Sequence, residues 1–165
     1  STLYNALEYT QNGPIRDHWK ESPERHDAFG FWVEALYHLC LTDSNLEYRS
    51  WLAQAVLDSE DLGIGLPPSI IGVHGEAATP DERMPCPSPH DPRLRVINIC
   101  GGSRHELLIV NPCKEGIPLE WQQVPDDDIV WDLPKKDKQG AADTVPVVAP
   151  RGWLVGKGTI VGTVA

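Results

Sequence analysis

Four side chains with reactive chemistry stand close together in one stretch of this chain: His74, Glu76, Cys86 and His90. Imidazole and thiolate are ordinary zinc ligands, and three protein ligands with one water make a hydrolytic centre. His74, Cys86 and His90 are therefore candidate metal ligands, with Glu76 or Asp91 as a further donor. The same stretch holds the parts of a thiol enzyme, in which a cysteine needs a nearby base. Cys86 is the candidate nucleophile, and His90 and His105 are candidate bases.

The spacing completes no known motif. His74-Gly75-Glu76 followed by Pro85-Cys86 resembles part of the zinc-deaminase signature, a His and two later Cys around zinc with a Glu moving protons. Its second cysteine falls on Pro89, and its helix falls on alternating prolines, so the chain lies outside that family. The four cysteines at 40, 86, 100 and 113 form no two-residue-spaced pair, which excludes a zinc knuckle or a thioredoxin-type pair. Free, buried thiols are the plain expectation. A Cys100–Cys113 disulfide is the alternative if the compartment is oxidising, because the two flank an apparent hairpin.

The elements around these residues change character along the chain. Residues 1–65 read as a helical unit. A helix is expected over 3–11 and is stopped by Asn12-Gly13-Pro14. Ser22 then reads as an N-cap and Pro23 as a first helical residue. The apolar stripe of this second helix runs through Phe29, Trp32, Leu36 and Cys40. Ser44-Asn45-Leu46-Glu47 is a capping box opening a third helix, with Gly63 as its stop. So short a connection predicts a helical hairpin.

Residues 66–92 are rich in proline and read as an extended strap or linker. Residues 93–165 read as an antiparallel β unit, a sandwich or small barrel. Strands are expected at 94–100 and 106–110 across a Gly101-Gly102 turn, then at 119–124, 129–133, 145–148, 153–155 and 159–164. Gly156-Lys157-Gly158 reads as a turn between the last two. The expected fold is thus α+β, in one compact domain of 165 residues.

A formal net charge of -10 repels a phosphate backbone, which argues against nucleic acid; it suits plain solubility or a basic protein partner. No apolar run is long enough to insert in a membrane, so a soluble protein is expected, with the cytoplasm favoured over secretion. Six Trp against two Phe is an unusual ratio; Trp121, Trp131 and Trp153 are the candidate partner-binding anchors beside the strap. The reading favoured by these features is a non-enzymatic interaction or regulatory module without a cofactor. A small hydrolase with a thiol or zinc centre is the alternative.

Overall fold

A computed structural model describes residues 2–22, 26, 28–66, 70, 88–101, 104–122, 129–133 and 145–161. It shows an N-terminal helical region and a C-terminal antiparallel sheet. The chain divides into two compact units, Ser1–Ile70 and Ile71–Ala165. Within the first unit helices pack on helices, and within the second strands pair with strands. The division falls within the stretch read as a strap, of which 71–87 lies outside the described residues.

The helical unit holds α1 (Thr2–Gln11), α2 (Gly13–Lys20), α3 (Phe29–Thr42) and α4 (Leu46–Leu62). The first helix stops at Gln11, before Asn12-Gly13-Pro14 as expected, and the same run also starts α2. The Asn12 side-chain oxygen accepts from the Ile15 N–H at 3.1 Å, which caps the new helix. Pro14 sits in the first turn, where its missing N–H breaks no bond. Ser22 closes this helix rather than opening the next, since its hydroxyl donates to the His18 carbonyl at 3.0 Å. Helix α3 begins later, behind Ala28, with no side-chain cap.

Helix α3 buries Phe29, Trp32, Val33, Leu36, Tyr37 and Cys40, the face that the apolar stripe marks out. Tyr9 of α1 meets it edge-on at Phe29, with ring centres 5.7 Å apart. Each such buried side chain contributes about 1.5–3 kcal/mol. Helix α4 is capped by Asn45, whose side chain accepts from the Glu47 N–H at 2.8 Å, one residue later than a Ser44 cap. It ends at Gly63, which takes the left-handed conformation at φ 68°. That conformation favours glycine because a Cβ would crowd the following carbonyl.

In the second unit β2 (Arg95–Gly101), β3 (Arg104–Val110), β6 (Ile129–Trp131) and β8 (Trp153–Ile160) form one antiparallel sheet in the order β2-β3-β8-β6. Two short ladders accompany it: β1 (Ser88–Pro89) with β5 (Trp121–Gln122), and β4 (Ile117–Pro118) with β7 (Val147–Val148). Among the described residues the sheet is open, not closed into a barrel. The end of the Pro-rich stretch is extended and belongs to this unit through β1.

Strand β8 corrects the turn expected at Gly156-Lys157-Gly158. The glycines lie within one continuous strand because the neighbouring side chains need their space. A Cβ on Gly156 would stand 2.5 Å from a Leu133 methyl, and one on Gly158 would stand 2.5 Å from an Ile129 methyl. Val96, Leu107 and Ile109 share this face with Ile129, Trp131 and Leu133, and together they form the core of the unit.

Asn111, fully buried just after β3, organises the loops at that end of the sheet. Its amide nitrogen donates to the carbonyls of Glu115 at 2.8 Å and Val148 at 3.0 Å. Its oxygen accepts from the Cys113 N–H at 2.8 Å. A buried amide is retained in a core when its donors and acceptor are satisfied in this way.

Candidate functional site

The residues leading into β2 build the clearest surface feature of the sheet unit. Asp91-Pro92-Arg93 is a turn of the Asx kind, in which the aspartate oxygen takes the backbone N–H two residues on, here at 2.9 Å. The Leu94 N–H closes the turn on the Asp91 carbonyl at 3.2 Å. Arg95 donates to the Pro92 and Arg93 carbonyls at 2.9 and 3.0 Å, tying the turn to the strand that follows. The His90 N–H donates to the Glu120 carbonyl at 2.7 Å, which joins the turn to the segment before β5.

The result is an open cleft of about 490 Å³ lined by His90, Asp91, Pro92, Arg93, Pro118 and Glu120. Its guanidinium is already engaged. Arg93 grips Asp91 through Nε at 3.0 Å and Nη2 at 2.7 Å, and reaches Glu115 with Nη1. The Arg93 hydrogen bonds, side chain first and backbone next, hold the Asp91 carboxyl below its ordinary range. The Asp91 hydrogen bond raises Arg93 in turn, so both stay charged at all physiological pH. The imidazole of His90 is exposed beside this clamp.

Two of the expected histidines, His90 and His105, fall among the described residues, in different strand regions. His74, Glu76 and Cys86 lie outside the described residues. His90 lines the cleft. His105 is buried on β3, opposite Cys100 near the far end of β2. Cys100 lies five residue steps along β2 from Arg95, about 17 Å, so His90 and His105 serve different places. Among the described residues no group of three His, Cys, Asp or Glu side chains is placed to hold a metal ion.

The aromatic anchors are also redistributed. Trp121 and Trp131 are 7% and 2% exposed and belong to the core of the sheet unit. Alternation along the strands turned these rings inward. Trp153, half-buried at the start of β8 opposite Val110, keeps an accessible edge. Cys100 and Cys113 are free thiols. Cys100 pairs with His105 near the turn, while Cys113 follows the other end of β3, so the hairpin holds them apart instead of together.

Arg93 and its partners Asp91 and Glu115 went unnoticed as a unit in the sequence. The run Asp-Pro-Arg carries an Asx-turn signal, and that signal was the available clue. No protein-family model matches the chain, and comparison with curated proteins and with solved structures finds no significant match. No helix among the described residues is long and apolar enough to cross a membrane.

Proposed function

We propose that the protein is a non-enzymatic interaction module, and that the cleft at His90–Arg93 receives an extended segment of a basic partner protein. The observation that carries this reading is the state of the cleft's charges. Arg93 is paired with Asp91 and Glu115, which leaves a proline-walled surface whose own charges are matched. A surface ordered before binding loses little side-chain freedom on binding. Pro92 and Pro118 offer flat apolar contact, and Glu120 and His90 offer polar contact at the edge. The net charge of -10 draws a basic segment toward the molecule.

The hydrolase reading remains second. It is favoured by one observation, the placing of the exposed imidazole of His90 in a cleft with Asp91 and Glu120. Cys86 would then supply the thiol, or His74 and Cys86 would join His90 as ligands of a zinc ion.

The test is a titration of isotope-labelled protein with short Lys- and Arg-rich peptides, followed by amide chemical shifts. Binding in the proposed mode moves the amides of His90, Asp91, Arg93 and Glu120 and weakens as salt is raised. His90→Ala reduces affinity without abolishing it. Shifts confined to other surfaces, or none at all, would overturn the reading. An ester- or amide-hydrolysing activity lost in both Cys86→Ala and His90→Ala would favour the second.

A further inference from the structure

We propose that Cys100 and His105 form a binding site for a soft monovalent cation, Cu(I), within the sheet and away from the cleft. The two residues are direct partners in the β2–β3 ladder. Directly opposed residues point to the same face, with Cβ atoms about 4.5–5.5 Å apart. That face is the core side, since Val96, Leu107 and Ile109 share it. One cation with bonds of roughly 2 Å to a sulfur and to a nitrogen spans such a pair.

Two observations mark the pair as more than packing. His105 is only 8% exposed, and its Nδ1 is sealed from solvent without a hydrogen-bond partner among the described residues. Native cores rarely leave such an atom unused, and an unfilled ion position is one explanation. Across from it the Cys100 thiol, half-buried, donates to the Asn98 side-chain oxygen. Burial is the main influence on this thiol and pushes its pKa up, so without an ion it keeps its proton.

The donor set selects the ion. Zinc in a protein asks for four ligands. One thiolate and one imidazole suit copper in its lower oxidation state, and thiolate is the ligand that selects it. On binding, the Cys100 S–H bond breaks and its proton leaves to solvent. The sulfur and the His105 Nδ1 lone pair then bond to the ion. No electron is transferred, and Asn98 gives up the thiol hydrogen bond.

The experiment is an anaerobic titration of the reduced full chain with Cu(I) against a chromophoric copper chelator, with proton release recorded. The wild type is expected to take up one ion per chain and to release one proton per ion. Cys100→Ser and His105→Gln should each weaken binding by about tenfold or more. Cys86→Ser, Cys40→Ser and Cys113→Ser should leave it unchanged. Unaltered affinity in Cys100→Ser, or loss in Cys86→Ser or Cys113→Ser, overturns the site. If a variant fails to fold, X-ray absorption of the copper-loaded wild type decides. One sulfur and one nitrogen around the ion support the proposal, and a coordination shell of sulfur alone overturns it.

Discussion

The two units treat the same chemistry in opposite ways. In the helical unit a carboxylate is sunk in the interior: Asp58 of α4 is 1% exposed. Tyr9 donates to it at 3.0 Å and Gln54 at 2.9 Å, while Lys20 and Arg16 of α2 stand off at 3.6 and 4.0 Å. In the sheet unit the equivalent pairing of Asp91 with Arg93 lies at the surface. An ion in the interior must be satisfied or the fold gives way, whereas water replaces either partner of an exposed pair. The buried cluster therefore acts as a structural pin joining α1, α2 and α4. The surface clamp is free to act as a shaped surface for something else.

The largest test of this contrast is paired removal. Asp58→Ala strips a buried acceptor from Tyr9 and Gln54 and takes a carboxylate from Arg16 and Lys20, the latter keeping Asp61 at 3.9 Å. It should lower unfolding free energy by about 3–5 kcal/mol in urea titration. Arg93→Ala should leave the urea midpoint unchanged while weakening peptide binding at the cleft. A midpoint equally low in both variants would erase the distinction drawn between the units.

A second test asks whether the sheet's stability rests on packing instead of on ions. Gly156→Ala places a methyl against Leu133 and should cost about 1–3 kcal/mol by thermal unfolding. Gly65→Ala in the helical unit meets open space and serves as the control. Equal melting temperatures for the two variants would show that Leu133 yields freely.

The smallest test is a titration. Burial, then the charge of Asp58 and its hydrogen bond, raises the Tyr9 hydroxyl well above its ordinary pKa. An acid whose folded pKa is raised contributes stability that is whole below the unfolded value, about 10 for tyrosine, and that is lost as pH climbs toward the folded value. From this group the wild type should lose about 1.4 kcal/mol for each pH unit above 10. Tyr9→Phe should lack that component in urea titrations at alkaline pH, so parallel pH profiles for the two proteins would contradict it.

Much of the α+β layout was legible because local signals and tertiary needs agreed. The Asn45 cap and the Gly63 stop bracket α4, and the β-branched runs on either side of Gly101 became β2 and β3. The failures share one cause: residues with two uses. Asn12 both ends α1 and caps α2, so a sequence that reads as a break carries a new helix. Gly156 and Gly158 mark close approach of Leu133 and Ile129 instead of a bend, which depends on strands distant in sequence. His90 could be singled out by its chemistry, but the clamp beside it required knowing that Glu115 returns to Arg93. The Cys100–His105 pair required the hairpin register, and a one-residue slip would have turned one of the two to the other face.

Asn111 carries a consequence for the molecule's chemical lifetime. Asparagine in proteins deamidates when the next residue's backbone nitrogen attacks the side-chain amide and closes a cyclic imide. The next residue here is Pro112, whose nitrogen has no hydrogen to lose. The amide that binds the loops at this end of the sheet is thereby shielded from the commonest route of asparagine ageing, and its contacts should survive long storage intact.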